Sequence, residues 1–334
     1  MPQAVSFEAF GEPAEVLRLV NVSKPTIKPN EVLIKVTARP VNPSDCYWVR
    51  GTYGLKKPEL PCIPGFEAVG VVEQAGEKVR NVVVGQRVVP RPGASQQGTW
   101  QEYIAVAGAA CIPVPDEVSD EKAAQLVVNP LTALAMLDLF NPRPEDFIIQ
   151  TAAASALGVV LIQVARERGL KMINVVRRRE QAAYLQSHGA KAEHVICSGE
   201  ESIAQRVKAI TKGRGVKYAV EPVGGSVGAE VVQCMSRGST MLIVGWLSNQ
   251  PLPLNCGIMI FKEISIRGFW LTNYLSSKSN QELQRMMKEL MDLMIAGKID
   301  PPIGPQFSLD NVREAVRQAE TPGRHGKVLL MSKL

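Results

Sequence analysis

The stretch FIIQTAAASALGVVLIQVARERGLKMINVVRRRE, residues 147–180, constrains the possible folds of the chain more than any other segment. It contains an apolar strand, a loop of small residues (TAAASALG), an amphipathic helix that Gly169 closes, and a second strand, KMINVV. Strands separated by helices of roughly 10 to 15 residues continue to about residue 271. This alternation predicts an α/β fold with a parallel, doubly wound, Rossmann-type sheet.

The remaining chain has a different pattern. Residues 1 to about 120 contain short β-like runs such as EVLIKVTARPV and WQEYIAVA, separated by glycine and proline. Residues 279–297 are again helical in pattern, and HGKVLLMS can return as a final strand to the first domain. We therefore expect a β-rich, partly open barrel domain from residues 1–120 and 272–334, and a nucleotide-binding domain from residues 121–271.

Composition excludes several classes of protein. The net charge of +6 is modest and spread along 334 residues, without the aromatic-interleaved basic clusters of nucleic-acid-binding proteins. No apolar run reaches the ~18 residues that a membrane span needs. The six cysteines lack any C-x-x-C pair, which is typical of reduced thiols, and the first residues resemble no targeting segment. We expect a cytoplasmic protein that acts on a small molecule, with no nucleic-acid or membrane partner.

The loop TAAASALG departs from the usual dinucleotide-binding pattern of three glycines. Its three glycine positions hold Ala153, Ser155 and Gly158. Alanine and serine are small enough for a pyrophosphate to approach, provided that Ala153 needs no positive φ. An ordinary apolar turn between strand and helix would have the same composition. Candidate cofactor-binding residues here are Ala153, Ser155, Ala156, Leu157 and Gly158.

Three consecutive arginines, Arg177, Arg178 and Arg179, follow the second strand about 20 residues beyond the loop. An NAD site places an acidic residue there against the ribose hydroxyls, whereas a 2′-phosphate requires positive charge. Guanidinium groups bind phosphate bidentately. A solvated basic turn is the alternative interpretation, but the spacing favours NADPH as the cofactor.

Several motifs in order resemble one superfamily over nearly the whole chain. NPSD at 42–45, GFEAVGVVEQAG at 65–76, NPLTAL at 129–134 and GFWL at 268–271 resemble the medium-chain dehydrogenase/reductase superfamily. Within it, NPSDCYWVRGTYG, GTWQEY, VVNPLTA, MINVVRRR and IFKEISIRGFWL resemble the 2-enoyl thioester reductases, the mitochondrial-type trans-2-enoyl-CoA/ACP reductases. The chain is also similar to NADPH:quinone oxidoreductases. The resemblance implies a GroES-like catalytic domain, a homodimer and a role in fatty acid metabolism.

Many members of that superfamily hold catalytic zinc through a cysteine and a Gly-His-Glu motif. Here Asn42 stands at the cysteine position and Phe66 at the histidine position, and phenylalanine cannot bind a metal. Residues 77–110 contain no cysteine, so a four-cysteine structural lobe is also missing. We interpret His188, His194 and His325 as surface or helix-end residues and Cys46 as a wall residue. The sequence thus predicts a reductase without a metal.

The resemblance also implies site residues. The enoyl reductase pattern GxYG matches Gly51–Gly54, so Tyr53 is the candidate proton donor, with packing against a glycine-rich turn as the alternative role. Trp270 is the second candidate catalytic residue, as a wall for the acyl chain, although Phe269, Trp270 and Trp246 could equally be core residues. Further candidate cofactor-binding residues are Asn42, Thr132, Val223, Gly224, Gly245, Trp246, Phe269 and Trp270.

Three functions fit these observations. The favoured one is NADPH-dependent reduction of the 2,3 double bond of 2-enoyl thioesters, with the acyl group on coenzyme A or an acyl carrier protein. The nearest alternative is an NADPH:quinone or alkenal/enone oxidoreductase. A non-catalytic NADPH-binding protein is the alternative from a different class, since it would keep the arginines without needing Tyr53.

Overall fold

A computed structural model describes residues 1–54, 56–91 and 98–332. Its strands are, in chain order, β1 (Gln3–Ser6), β2 (Arg18–Asn21), β3 (Glu31–Pro40), β4 (Val69–Ala75), β5 (Arg87–Pro90), β6 (Tyr103–Ala107), β7 (Cys111–Pro113), β8 (Phe147–Gln150), β9 (Lys171–Val176), β10 (Val195–Cys197), β11 (Val216–Glu221), β12 (Met235–Ile243), β13 (Ser265–Gly268), β14 (Ile303–Ser308) and β15 (Lys327–Met331).

The helices are α1 (Pro13–Val16), α2 (Pro43–Arg50), α3 (Asp120–Ala123), α4 (Val128–Phe140), α5 (Ala156–Glu167), α6 (Glu180–Ser187), α7 (Ile203–Ile210), α8 (Gly225–Cys234), α9 (Cys256–Lys262), α10 (Leu271–Ser276), α11 (Asn280–Ile295) and α12 (Val312–Glu320). The chain divides into two compact units. The first consists of Met1–Val128 and Pro301–Leu334, and the second of Asn129–Asp300. No helix in the described ranges is long and apolar enough to cross a membrane.

The first unit is built around the ten-residue strand β3. β3 pairs antiparallel with β4, β6 and β15, and the larger sheet has the order β14-β15-β3-β4-β5-β7. Alternating β-branched residues of β3 bury one face of the sheet, where Val32, Ile34 and Val36 are fully buried. This is the GroES-like, partly open architecture that the sequence predicts, and the predicted returning strand HGKVLLMS is confirmed as β15.

The second unit contains a six-stranded parallel sheet with the order β10-β9-β8-β11-β12-β13. This order corresponds to 3-2-1-4-5-6, the doubly wound arrangement of dinucleotide-binding domains. The predicted strand KMINVV coincides with β9. α5 lies against this sheet through its apolar face, and its N-terminal turn packs tightly on the preceding loop. The predicted Rossmann-type domain is confirmed.

The limits of the two units differ from the predicted division, which assigned residues 272–334 to the first domain. In the structure, residues up to Asp300 belong to the second unit because side chains of α5 and its C-terminal end hold them there. The Gln163 side-chain amide accepts a hydrogen bond from the Asp300 N–H at 2.9 Å and donates one to the Asp300 carbonyl at 3.2 Å. Arg168, at the C-terminal end of α5, pairs with Glu289 at 3.0 Å. Hydrophobic periodicity cannot reveal such long-range contacts.

Gly158 provides a stability prediction. A Cβ at this position would lie 2.7 Å from the carbonyl carbon of Ala153, which is backbone that cannot move freely. We expect Gly158→Ala to reduce the free energy of unfolding by about 1–3 kcal/mol, as overpacking does. Gly257→Ala is the matched control, since Gly257 also lies in a first helical turn but its Cβ would meet side chains rather than backbone, Asn255 at 3.2 Å and Phe261 at 3.9 Å. Thermal denaturation should show Gly158→Ala well below the control, and equal midpoints would contradict the packing argument.

Candidate active site

The loop after β8 builds the N-terminus of α5. Ser155 is the N-cap residue, and its Oγ accepts a hydrogen bond from the Gly158 N–H at 3.1 Å. The backbone N–H groups of Ala156 and Leu157 have no acceptor among the described residues. Free N–H groups at a helix N-terminus attract anions. The first turn of α5 can therefore bind a phosphate group.

The loop meets its steric requirement without the first two glycines. Ala153 is fully buried, its N–H donates to the carbonyl of Val175 at 3.1 Å, and its φ is not positive. Ala152 instead has a positive φ, of 46°. Ala153 therefore meets the condition stated from the sequence, that it needs no positive φ, because the neighbouring Ala152 adopts the positive φ of this turn.

The three arginines occupy the loop that follows β9, the strand beside β8. Their side chains are exposed, and the N–H groups of Arg177 and Arg178 donate to Gln181 Oε1 at 3.3 and 3.1 Å. The Arg179 guanidinium forms an ion pair with Glu200, which raises the arginine pKa. No side-chain partner for Arg177 or Arg178 is present within the described parts of the chain. These two guanidinium groups remain available for a ligand phosphate.

Glu221 connects two loops at the carboxyl edge of the sheet, and sequence reasoning missed it. Its Oε1 accepts hydrogen bonds from the N–H groups of Val223 and Gly224, at 2.6 and 2.8 Å. Its Oε2 accepts from Thr151 Oγ1 at 2.9 Å. Burial raises the pKa of Glu221, while these donors act in the opposite direction. The only sequence signal for this role is an acid at the end of the strand VKYAVE.

The ends of β12 and β13 carry the remaining candidates of this unit. A Cβ on Gly245 would lie 3.0 Å from the carbonyl oxygen of Pro222, so glycine is needed for close backbone approach. Trp246 is 54% exposed, and its Nε1 donates to the Gln250 carbonyl at 3.0 Å. Thr132 lies apart from these loops in sequence, on α4, and is largely buried.

Phe269 and Trp270 line a cavity of about 500 Å³. Other lining residues include Leu139, Ile243, Arg267 and Tyr274. The rings of Phe269 and Tyr274 are 5.8 Å apart. The aromatic pair is therefore part of an accessible apolar wall rather than fully buried core.

In the first unit, Tyr53 belongs to an aromatic cluster at the end of α2. The helix ends at Gly51, whose φ of 70° turns the chain, and the Tyr53 N–H donates to the Tyr47 carbonyl at 3.1 Å. The Tyr53 ring centroid lies 5.3 Å from that of Phe66 and 6.4 Å from that of Trp48. Phe66, which the resemblance noted above places at a zinc-ligand position, therefore packs against the candidate proton donor.

Asn42 lies in a buried polar cluster of the same unit. Its amide nitrogen donates to Glu67 Oε1 at 2.7 Å, and its amide oxygen accepts from Lys327 Nζ at 2.6 Å. Its backbone N–H donates to Asp45 Oδ2 at 2.7 Å. Burial raises the pKa of Asp45 to about 8 and lowers that of Lys327 to about 8. Sequence reasoning identified Asn42 but missed Glu67 and Lys327 as its partners.

The interpretation of the cysteine and histidines agrees with their surroundings. Cys46 is buried, and burial raises the pKa of its thiol. His188 caps the end of α6 with Nδ1 2.7 Å from the Tyr184 carbonyl, and His194 packs against Phe147. No group of three or more potential metal-binding side chains occurs within residues 1–54, 56–91 and 98–332.

Comparisons with known proteins identify the family. A family model described as "Alcohol dehydrogenase GroES-like domain" matches residues 28–116, and one described as "Zinc-binding dehydrogenase" matches residues 156–294. "Enoyl-[acyl-carrier-protein] reductase, mitochondrial" from Xenopus tropicalis is 35% identical over 97% of this chain and 94% of the relative. The human protein of the same name is 32% identical over 98% of this chain and 88% of the relative.

Solved structures agree with this result. Quinone oxidoreductase from Escherichia coli, complexed with NADPH, superposes with a TM-score of 0.87 at 26% identity, over 98% of this chain and 99% of that one. A mutant enoyl thioester reductase from Candida tropicalis superposes with a TM-score of 0.85 at 25% identity, over 99% of both chains. The open first turn of α5 and the two unpaired arginines fit the phosphates of NADPH. The chain therefore belongs to the medium-chain dehydrogenase/reductase superfamily and is an NADPH-dependent oxidoreductase.

Proposed function

We propose that the protein reduces the 2,3 double bond of 2-enoyl thioesters, with the acyl group carried by coenzyme A or by an acyl carrier protein. The observation that carries this proposal is the position of Tyr53, which the GTYG turn holds against Phe66 where zinc-containing members have a metal ligand. The names of the full-length relatives support the same substrate class. Their names also include the word mitochondrial, while a cytoplasmic location for this chain stays a prediction.

Residues of the second unit would bind and orient the cofactor. The N–H groups of Ala156 and Leu157 would hold the pyrophosphate, and Arg177 and Arg178 the 2′-phosphate. Val223, Gly224 and Gly245 would permit the nicotinamide end to approach the backbone, while Glu221 fixes the loop that carries the first two. NADPH, when bound, supplies the hydride.

Tyr53 would supply the proton in this reaction. As hydride adds to Cβ, the electron pair of the double bond moves toward the thioester carbonyl, and Cα then takes a proton. The tyrosine hydroxyl is an O–H donor, so it can donate to the developing enolate and deliver that proton. The cavity that Phe269 and Trp270 line would accept the apolar acyl chain.

Quinone reduction is the second candidate function. The structural neighbour from Escherichia coli is named a quinone oxidoreductase and superposes at least as well as the enoyl thioester reductase. A quinone accepts hydride without needing a proton at a defined carbon. NADPH oxidation with a panel of 2-enoyl-CoAs, quinones and enals separates the two, and a clear preference for quinones would overturn the proposal.

The first prediction concerns cofactor choice. Replacing Arg177 and Arg178 by alanine should weaken NADPH binding at least tenfold and leave NADH binding nearly unchanged, since a charge-assisted phosphate bond contributes ~1.5–3 kcal/mol. Fluorescence titration with both cofactors measures this. Arg285→Ala on α11, which removes an exposed arginine outside the phosphate loops, is the control. Equal affinity of the unmodified protein for NADPH and NADH would contradict the prediction.

The second prediction concerns chemistry. Tyr53→Phe should lower kcat with enoyl-CoA by about 10²–10⁴, the usual contribution of a positioned acid or oxyanion donor, while NADPH affinity stays unchanged. Quinone turnover should fall much less. Tyr47→Phe, which removes a hydroxyl from α2 itself, is the matched control. Unchanged enoyl-CoA turnover in Tyr53→Phe would show that this tyrosine only packs, and Ser44, Cys46 or a bound water would then be tested as donors.

The third prediction concerns assembly. β13 is the outer strand of the parallel sheet, and the neighbouring α9 exposes Ile260 and Phe261 by 68% and 82%. An unpaired strand edge beside apolar side chains favours pairing with a second copy, so we expect a homodimer. Light scattering should give twice the chain mass for the unmodified protein and a lower mass for Phe261→Lys. A monomer mass at all concentrations of the unmodified protein would exclude this dimer.

A further inference from the structure

Three buried side chains form a hydrogen-bonded line through the first unit. Lys327 Nζ donates to Asn42 Oδ1, and Asn42 Nδ2 donates to Glu67 Oε1. The exposed fractions of Lys327, Asn42 and Glu67 are 3%, 2% and 1%. Lys327 begins β15, Asn42 caps α2, and Glu67 precedes β4, so tertiary folding alone brings the three together.

The outer members of this line fix the orientation of the amide between them. A lysine ammonium can only donate hydrogen bonds, and a carboxylate can only accept them. Asn42 must therefore turn its oxygen toward Lys327 and its nitrogen toward Glu67. Thr99 Oγ1 donates a hydrogen bond to the Glu67 backbone carbonyl at 2.9 Å. The Val128 N–H donates to Glu67 Oε2 at 2.7 Å, so the position of the carboxylate is also fixed.

One hydrogen of the Asn42 amide nitrogen remains unused. Nδ2 carries two hydrogens, and only the bond to Glu67 is formed within the described ranges. Lys327 also polarises the amide, because a hydrogen bond from a charged donor to the oxygen strengthens the N–H groups as donors. The cluster thus contains an oriented and strengthened donor, next in sequence to the helix that leads to Tyr53.

We propose that Lys327 and Glu67 are positioning residues that hold the Asn42 amide so that its free N–H donates to an acceptor oxygen of the bound cofactor or substrate. This inference rests on the proposed function, since it requires ligands to bind beside Asn42. In zinc-containing members a metal ligand stands at this position. Here an oriented amide would provide hydrogen-bond donation in place of metal chemistry.

The alternative role is purely structural, namely that Lys327 and Glu67 balance each other's buried charge. The two roles give opposite expectations for the charge-balanced pair of substitutions, Glu67→Gln with Lys327→Met. In this double variant the Val128 N–H still requires an acceptor, so the side-chain oxygen of the new glutamine accepts that hydrogen bond. The NH₂ group of the glutamine then faces Asn42. Without Lys327 the Asn42 amide oxygen loses its ammonium donor, and the new NH₂ group favours a rotation that places this oxygen toward residue 67.

The experiment compares Glu67→Gln, Lys327→Met, the double variant and Asn42→Ala. Each single change leaves a buried charge without its partner, so both should lower the thermal midpoint, and the double variant should recover much of that loss. Catalytic activity should rank the variants in the opposite order, with the double variant less active than either single variant. We expect the double variant to lose about 10- to 100-fold in kcat/KM, close to Asn42→Ala, whereas each single variant keeps one orienting partner and loses less.

NADPH affinity, measured by fluorescence, identifies the acceptor. A cofactor oxygen as acceptor predicts that the double variant and Asn42→Ala bind NADPH about tenfold more weakly or worse. A substrate oxygen predicts unchanged NADPH affinity with a reduced kcat/KM. A double variant that regains both stability and activity relative to the singles, with normal NADPH affinity, would overturn the positioning role.

Failure of the proposed function is distinguishable from failure of this inference. The unmodified protein is first assayed with the panel of 2-enoyl-CoAs, quinones and enals, and the variants are then compared on whichever substrate is turned over. A preference for quinones would reject the enoyl thioester assignment but leave the comparison of variants intact. If no substrate in the panel reacts, the proposed function fails together with the substrate oxygen as acceptor, and an unchanged NADPH affinity of the double variant then rejects the cofactor oxygen as well.

Discussion

The parallel pairing of β8 with β9 on one side and β11 on the other is the constraint on which the nucleotide-binding unit depends. Because the chain leaves β8 in one direction and later returns to its other side, the loops after β8 and β11 diverge at the carboxyl edge. This pairing determines the positions of all candidate nucleotide-binding residues that follow these strands. Glu221 then joins the two diverging loops through Thr151 and the N–H groups after β11.

Buried polar groups impose a second constraint, in the catalytic unit. Removing a carboxylate or an ammonium from water is costly unless partners replace the lost hydration. Glu67 meets this requirement with the Asn42 amide and the Val128 N–H, and Lys327 with the amide oxygen. Buried opposite charges add little net stability compared with apolar residues, so the value of this cluster lies in the geometry that it enforces.

The parts of the molecule with strong local signals were predictable from sequence. β9 coincides with KMINVV, and α11 and β15 lie where periodicity placed them. The parallel sheet followed from the alternation of strands and helices. The partners of Asn42 were not predictable, because Lys327 is 285 positions away in sequence and buried charges resemble surface charges in a single sequence.

Glu221 and Arg179 show the same limit at the nucleotide site. The role of Glu221 depends on Thr151, which lies 70 positions earlier, directly after the neighbouring strand β8. The arginine triplet was recognisable from spacing, but nothing in the sequence shows that Arg179 pairs with Glu200 while its two neighbours have no side-chain partner among the described residues. Spacing along the chain identifies residue types at a sheet edge, and only the folded structure assigns their partners.

The alanine-rich loop shows which glycines a nucleotide-binding turn needs. Ala152 adopts a positive φ, which for alanine costs roughly 1–2 kcal/mol per residue. Alanine also restricts the unfolded chain relative to glycine, which offsets about 0.4–1 kcal/mol of that cost. Ser155 adds a cap worth ~1 kcal/mol that glycine would provide less well. Only Gly158, packed against the Ala153 backbone, has no substitute of this kind. The steric requirement at Gly158 is therefore separable from the positive φ at Ala152, and a loop with a single glycine can still present its N–H groups to a pyrophosphate.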